Sequence, residues 1–330
     1  MPPVIVYHYS FSPYARRILW YLRLRGIPYL TCAQPPTLPR PDVRLLGLKH
    51  RRIPIVAIGG DVYLDTRLIL RKLARLPPSP SPAMQHPPSG TQAAGIERLL
   101  SAWSTDGGLF SRAMQLLPGA DLPLLKNKAF QRDRADFVGH STNAAGAAAL
   151  RPEAMAELRD AFALLESTFF ADGRDWILGG QGPTTADIEA VWLFHWLSGL
   201  KGALDPATIS PALFPSVFAW VDRFQRQLST AKTEAGTVSG EEARDRILGQ
   251  ASQTKDEVEV DANEMLVKFY GLQQGSVVEV WPVDSGSAHV DVGRLLGLDS
   301  LEIVFETDAG VRVHAPRHGF RQRPVISSNL

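Results

Sequence analysis

The chain contains very little cysteine and has no excess of charge of either sign. Cys32 is the one cysteine among 330 residues, which excludes a framework of intrachain disulfides and fits a reducing compartment. Lysine and arginine together number 35, and aspartate and glutamate 34. The resulting net charge of +1 gives no basic field of the kind that binds nucleic acid, so we predict no nucleic-acid partner.

A long apolar run is also missing. No stretch reaches the length of a membrane span, and the first residues lack the charged-then-apolar layout of a secretory signal. We therefore predict a cytoplasmic protein with no membrane partner. The final tripeptide, residues 328–330, reads Ser-Asn-Leu and is a weak variant of the peroxisomal address Ser-Lys-Leu, which leaves that compartment as the minor alternative.

The length and the distribution of proline divide the chain. A chain of 330 residues with 45% apolar residues exceeds one ordinary domain. Six prolines between residues 77 and 88 favour an extended linker. We predict a compact α/β unit, a Pro-rich linker, an all-helical unit, a polar connector and a β-rich module, with the bounds 1–78, 79–92, 93–235, 236–261 and 262–330.

The first unit opens with a strand followed by a helix. Alternation from Val4 predicts a strand over 4–9, and apolar spacing in "PYARRILWYL" predicts a helix over 13–25. Pro13 suits the first helical turn, which leaves Ser12 at the N-cap. We therefore expect the Ser12 hydroxyl at the positive end of a helix, where an anion is favoured.

Later patterns complete the outline. In the first unit they predict strands at about 29–33, 55–58 and 61–64, the last two joined by a Gly59-Gly60 hairpin, and a helix over 67–75. Residues 93 to about 230 have helical spacing, and Thr184 and Asp187 have the spacing of a capping box. Between about 262 and 323, short alternating runs separated by turn residues predict β-strands.

These sequences resemble the glutathione S-transferase family over residues 1 to about 230. "YHYSFSPYARRILWYLRLRGIPY" is similar to the family's first strand and helix, and "RRIPIVAIGGDVYLDTRLIL" to its Ile-Pro strand and acidic-hydroxyl helix start. "PTTADI" and "FPSVFAWVDRF" match landmarks of its helical domain. The resemblance implies a thioredoxin-like N-terminal domain and an all-α bundle of the glutathione S-transferase C-terminal type. The small β-rich C-terminal module matches nothing in the ordinary fold.

The resemblance also implies a binding site for glutathione as cosubstrate. A cis Pro54 would leave the backbone of Ile53 able to pair with glutathione as an extended peptide. Asp65 and Thr66 would hold its γ-glutamyl end. The glycine carboxylate needs a cation, and the sequence alone does not choose among four neighbouring candidates: Lys49, His50, Arg51 and Arg52.

Ser12 matches the position of the family's catalytic serine or cysteine. Its hydroxyl would donate to the glutathione sulfur, and Tyr14 and Tyr9 are nearby hydroxyls that compete for this role. Helix capping alone is the structural alternative for Ser12 and for the pair Asp65-Thr66. We predict no metal site, because Pro316 and Gly319 break any helix that would align His314 with His318.

The function implied by the resemblance is activation of the glutathione thiol for conjugation to, or isomerisation of, an apolar electrophile. Serine in place of cysteine argues against disulfide reduction. The wording "RRIP" with "DTRLIL" is closest to fungal members with a C-terminal extension, which implies secondary metabolism. A non-catalytic ligand- or partner-binding protein is the alternative, and a homodimer is a further implication. We expect residues 262–323 to pack on the helical unit and either to cover the substrate pocket or to replace part of the dimer surface.

Overall fold

Strands from both ends of the described chain form one sheet. The computed structural model describes residues 1–77, 83–84, 92–118, 122–139, 149–251 and 259–325. Its strands are β1 (Val4–His8), β2 (Tyr29–Ala33), β3 (Ile55–Ile58), β4 (Asp61–Leu64), β5 (Ala235–Thr237), β6 (Val277–Pro282), β7 (Asp291–Leu298), β8 (Glu302–Glu306), β9 (Arg312–Pro316) and β10 (Phe320–Pro324). Their order in the sheet is β10-β6-β7-β8-β9-β4-β3-β1-β2-β5.

Helices cover both faces of this sheet. They are α1 (Pro13–Arg25), α2 (Pro41–Arg44), α3 (Thr66–Leu73), α4 (Gln92–Thr105), α5 (Leu109–Gln115), α6 (Pro123–Lys126), α7 (Lys128–Val138), α8 (Arg151–Leu164), α9 (Thr185–Ser198), α10 (Pro215–Thr230), α11 (Gly240–Gln250) and α12 (Met265–Tyr270). A π-helical turn, Leu165–Phe169, continues α8. Within the described ranges, no helix is long and apolar enough to cross a membrane.

The N-terminal unit is thioredoxin-like, as the sequence predicts. Strand β1 pairs in parallel with β2 and antiparallel with β3, and β3 pairs antiparallel with β4. The predicted helix over 13–25 is confirmed. The helix expected over 67–75 instead spans Thr66–Leu73, because Asp65 caps it by accepting a hydrogen bond from the Arg67 N–H. Of the predicted linker over 79–92, only residues 83, 84 and 92 lie in the described ranges.

The helical unit confirms the predicted capping box. The Asp187 carboxylate accepts from the Thr184 N–H at 2.8 Å and from the Trp220 indole at 2.9 Å. These bonds join the start of α9 to α10, which brings two sequence landmarks together. Apolar side chains of this unit form a single core with α1, α3 and one face of the N-terminal sheet.

The expected polar connector contains regular structure that belongs to the N-terminal unit. Strand β5 pairs in parallel with β2, with Tyr29 opposite Ala235, and Ala243 and Ile247 of α11 are buried in the core beneath the sheet. Polar composition concealed this strand, because an edge strand is held mainly by its backbone and exposes its side chains.

The C-terminal module extends the N-terminal sheet. The expectation that it packs on the helical unit is therefore wrong, because its main contact is with the N-terminal unit. Strand β9 pairs in parallel with β4, from Asp61 opposite Arg312 to Tyr63 opposite His314. Val62 and Leu64 share a continuous apolar core with the module's strands. Pairing satisfies the open backbone groups of β4 and buries apolar side chains at the same time, which favours this edge.

Candidate active site

The predicted site residues meet at one end of the N-terminal sheet. Tyr7 lies opposite Ile55, and Ile55 lies opposite Leu64. The segments that leave these three positions therefore start side by side, and they carry Ser12 after β1, Ile53-Pro54 before β3 and Asp65-Thr66 after β4. The Ile53–Pro54 peptide bond is cis.

Ser12 is the N-cap of α1, and it is 2% exposed. Its hydroxyl oxygen accepts from the Ala15 N–H at 3.2 Å, and its own N–H donates to the Tyr9 carbonyl at 3.1 Å. Because the oxygen accepts from the helix, the hydroxyl proton is the part of the group left to interact with a ligand. Capping and donation to a sulfur are thus compatible roles for this side chain.

The two competing tyrosines have different surroundings. Tyr14 is partly buried between α5 and α9, with its ring centroid 4.9 Å from those of Phe110 and Trp192. Burial raises the pKa of Tyr14 to about 12 against the lowering effect of Arg17, so its phenol stays protonated at neutral pH. Tyr9 instead packs on Phe11 at 4.8 Å, with the Arg40 guanidinium over its ring.

The backbone of Ile53 lies just outside the strand ladder. Pairing of β3 with both neighbours begins at Ile55. In the described part of the chain, no backbone hydrogen bond engages the N–H or C=O of Ile53. A buried or half-buried backbone without partners is costly, so these groups are suited to an extended ligand that supplies the missing bonds.

Asp65 has an unusual backbone and a heavily paired carboxylate. Its φ of 67° is the only positive value of a non-glycine among the described residues, a conformation that costs about 1–3 kcal/mol and is concentrated at functional sites. Arg67 Nε lies 3.0 Å from one carboxylate oxygen, and Arg52 lies 3.9 Å from the other. Burial alone would raise the pKa of Asp65, but the charge and hydrogen bonds of Arg67 outweigh it and lower that pKa to about 2.

Thr66 is held by an arginine that the sequence did not single out. Arg17 Nη1 donates to the Thr66 hydroxyl at 2.8 Å, and the same guanidinium forms a buried ion pair with Glu189 of α9. Since the Thr66 oxygen accepts from a cation, its proton is directed elsewhere and becomes a stronger donor. Sequence reasoning had no means of finding this contact, because Arg17 and Glu189 are 172 positions apart.

The candidate cations near Ile53 differ in how far they are already paired. Arg51 is buried and forms ion pairs with Asp133 and Asp136 of α7. Arg52 pairs with Asp284 of the module and donates to the Ser285 carbonyl at 2.8 Å.

Lys49 and His50 complete the set of four. Lys49 is exposed, and no ion pair engages it among the described residues. His50 is buried, and burial lowers its pKa to about 3, so it carries no charge at neutral pH. At neutral pH His50 is therefore not a cation and Arg51 is engaged by two carboxylates, whereas Lys49 and Arg52 keep more exposed side chains.

A partly exposed group of aromatic rings lies beside Tyr14. Phe110 of α5 stacks on Trp192 at 5.7 Å and on Trp196 at 6.0 Å. Trp192 is almost fully buried, whereas Phe110 and Trp196 keep part of their surface accessible. These rings give the boundary between the two units an apolar face.

Cys32 is placed as a core residue rather than a reactive thiol. It is buried in β2, with Sγ 3.8 Å from the Asp42 carboxylate. Burial, with the Asp42 charge adding to it, raises the pKa of the thiol to about 12. In the ranges that the structure describes, no cluster of three histidine, cysteine or carboxylate side chains could hold a metal ion. His314 lies instead between the carboxylates of Glu302 and Asp61, at 2.9 and 3.3 Å.

Comparison with family models identifies two segments. Residues 6–81 match the glutathione S-transferase N-terminal domain, and residues 112–233 match a domain of unknown function, DUF7962. A comparison with curated proteins gave no match.

Among solved structures, a glutathione S-transferase-like protein from Pseudomonas syringae is 23% identical, with a TM-score of 0.65 over 98% of this chain and 100% of its own. A beta-etherase from Sphingobium sp. is 14% identical, with a TM-score of 0.50 over 68% of this chain and 98% of its own. A glutathione S-transferase from Methylobacterium radiotolerans, in complex with glutathione sulfonate, is 20% identical, with a TM-score of 0.45 over 72% and 98%. The likeness to the first two structures shows the fold, and the alignment with the Pseudomonas syringae protein also spans the C-terminal module.

Proposed function

We propose that the chain is a glutathione-dependent transferase or isomerase that binds glutathione along Ile53 and activates its thiol at Ser12. The observation that carries this proposal is the backbone of Ile53, which has no backbone partner among the described residues and lies beside the start of α3. A γ-linked tripeptide has a backbone to pair with Ile53 and a charged end to place at a helix N-terminus.

Each end of glutathione has a matching group in this arrangement. The Thr66 hydroxyl, oriented by Arg17, donates to the γ-glutamyl carboxylate, and Asp65 shares its charge between Arg67 and the ligand ammonium. The glycine carboxylate is bound by Lys49 or Arg52. The weaker of these partners is Arg52, because Asp284 already pairs with it.

Ser12 would act on the sulfur of the bound glutathione. A thiol with its ordinary pKa is mostly protonated at neutral pH, so the nucleophilic thiolate must be stabilised. A hydrogen bond from Ser12 and the partial positive charge at the start of α1 together favour the thiolate, by about one to two pKa units. The thiolate then attacks an electrophilic carbon of the second substrate. In a substitution the leaving group departs with the electron pair of the broken bond, and in an addition to an unsaturated carbonyl compound the π-electron pair moves to the carbonyl oxygen and the enolate takes a proton from water.

The aromatic face beside Tyr14 supports an apolar second substrate. Phe110 and Trp196 offer accessible ring surface at the boundary between the N-terminal and helical units. Stacking on such rings favours a flat or unsaturated electrophile over a charged one. The resemblance to fungal members and to secondary metabolism stays a sequence-based prediction, as does a homodimer.

Calorimetry with glutathione tests the binding half of this proposal. Asp65→Asn keeps an oxygen that can cap α3 but removes the charge, whereas Asp65→Ala removes both. If Asp65 binds the ligand ammonium, both variants weaken glutathione binding by on the order of a hundredfold. If Asp65 is only a cap, Asp65→Asn binds glutathione like the wild type.

A non-catalytic glutathione-binding protein is the second candidate, and the burial of Ser12 favours it. Because the whole residue is only 2% exposed, its hydroxyl reaches a ligand only if the sulfur enters directly above it. Turnover with a panel of aryl halides, epoxides and unsaturated carbonyl compounds separates the two candidates. Glutathione binding without turnover of any of them favours the second.

A further inference from the structure

We propose that the segment 284–291 of the C-terminal module positions the loop 49–54, with Asp291 as its central positioning residue. The inference rests on the proposed function, because that loop is where glutathione is expected to bind. The segment connects β6 to β7, and it contacts each of the four residues that precede Ile53.

Asp291 holds the start of the loop through its backbone. One carboxylate oxygen accepts from the N–H of Lys49 at 2.6 Å and from the N–H of His50 at 3.0 Å. The Asp291 side chain is 1% exposed, so these bonds are shielded from water. Two consecutive backbone donors fixed on one oxygen define both the position and the direction of the chain that leads to Ile53.

Further contacts hold the rest of the loop. Arg52 donates to the Ser285 carbonyl at 2.8 Å and pairs with Asp284. Gly286 has a φ of 77°, and a Cβ at this position would lie 2.9 Å from Cγ of Arg51. The segment thus approaches Arg51 so closely that only glycine fits without a shift.

The same segment also reaches the helical unit. The Gly286 N–H donates to the Phe137 carbonyl at 2.7 Å, and His289 lies 2.9 Å from the Asp136 carboxylate that pairs with Arg51. Pairing of β9 with β4 already attaches the module to the N-terminal unit. The contacts of segment 284–291 are therefore additional to this attachment, and they engage the loop 49–54 both directly and through the α7 residues that contact Arg51.

Substitution of Asp291 tests this role directly. Asp291→Ala removes the acceptor, whereas Asp291→Asn keeps an oxygen at the same place. Burial raises the pKa of Asp291 to about 7, so asparagine also resembles the protonated carboxyl in shape and charge. Val292→Ala is the matched control, because the neighbouring side chain is 42% exposed on the opposite face of β7.

Hydrogen exchange, glutathione affinity and steady-state kinetics are the three measurements. We expect Asp291→Ala to speed exchange in a peptide covering 48–54 but not in β3 or α9, to weaken glutathione binding about tenfold, and to raise KM for glutathione with little change in kcat. Asp291→Asn should have the wild-type exchange rate over 48–54, the wild-type glutathione affinity and the wild-type KM. A purely structural role would instead speed exchange throughout the sheet and lower the melting temperature without this KM-specific effect.

The proposal is overturned if Asp291→Ala leaves exchange over 48–54 and glutathione affinity unchanged, or if Asp291→Asn fails to restore them. If Asp291→Ala does not fold, Gly286→Ala is the second variant, and the same region-specific change is expected because the added methyl displaces Arg51. A wild-type protein that does not bind glutathione refutes the proposed function and the ligand-binding part of this inference. The exchange measurement still decides separately whether the segment positions the loop.

Discussion

Replacement of Asp291 by asparagine should make the free energy of unfolding less sensitive to rising pH. Burial raises the pKa of Asp291 from 3.8 to about 7 in the folded protein, against the lowering effect of hydrogen bonds from the Lys49 and His50 N–H groups. Between these two values the unfolded chain has lost the proton and the folded chain keeps it. The free energy of unfolding must therefore fall as pH rises from about 4 to about 7.

The size of the effect follows from the gap between the two pKa values. A gap of about three units, at about 1.4 kcal/mol each, gives about 4 kcal/mol as the largest loss from this carboxyl. Asparagine does not titrate, so Asp291→Asn lacks this loss. The difference in unfolding free energy between variant and wild type should grow by up to about 4 kcal/mol across the same pH range.

His50 has the opposite dependence, and it cancels in this comparison. Burial lowers the pKa of His50 to about 3, followed by the charge of Arg52. The folded form resists protonation, so this histidine contributes stability above its ordinary pKa and loses it as pH falls. Both proteins carry His50, so its desolvation by burial contributes to both unfolding curves.

Urea unfolding at a series of pH values between about 4 and 8 measures the difference. Val292→Ala is the control for substitution in the same strand. The difference between its free energy of unfolding and that of the wild type should not change with pH. A difference between Asp291→Asn and wild type that stays constant with pH would refute the reasoning. It would mean that Asp291 is ionised in the folded protein across this pH range, as it is in the unfolded chain.

Three other perturbations have clear expected outcomes. Burial raises the pKa of the Cys32 thiol to about 12, so Cys32 should not react with an aromatic disulfide reagent at pH about 8 until the chain is denatured. Rapid labelling of the native protein would contradict the placement of Cys32 in the core. Arg17→Met should lower the free energy of unfolding in urea by about 3–5 kcal/mol, because it leaves Glu189 buried and unpaired. The double variant Arg17→Met with Glu189→Leu should lose less than the sum of the two single changes. Additive losses would argue against the ion pair. Truncation after residue 261 should give an insoluble or unfolded chain, since it exposes β4 and opens the shared core; a folded, monodisperse product would show that the module is dispensable.

Local sequence patterns were sufficient for several features of the N-terminal and helical units. Helix α1 with Ser12 at its N-cap, the Gly59-Gly60 hairpin and the capping box at Thr184 were all predicted from short-range spacing. These features depend on residues within a few positions of each other, where propensity and capping chemistry act directly.

Long-range pairing could not be predicted in the same way. Alternation in the last hundred residues indicates strands, but it does not say that β9 joins the edge of β4. Asp291 is a specific case: in "HVDVG" the valines suggest the inward positions, yet the structure buries Asp291 and exposes Val292. The backbone N–H groups of Lys49 and His50 offset part of the cost of this burial, because both donate to the Oδ1 atom of the carboxyl.

The pKa of the glutathione thiol on the protein tests the central claim most directly. Titration of the thiolate by its ultraviolet absorbance, with the wild type and with Ser12→Ala, measures it. Ser12→Ala also removes a helix cap worth about 1 kcal/mol, so Ser239→Ala, which removes a cap with the same 3.2 Å bond in α11, is the matched control.

We predict that the wild type and Ser239→Ala lower the thiol pKa by about one to two units. Ser12→Ala should return it toward the free value and reduce turnover by roughly ten- to a thousandfold with nearly unchanged glutathione affinity. A wild type that does not lower the thiol pKa would contradict the assignment of Ser12. So would a lowered pKa that persists in Ser12→Ala but is lost in Tyr14→Phe or Tyr9→Phe.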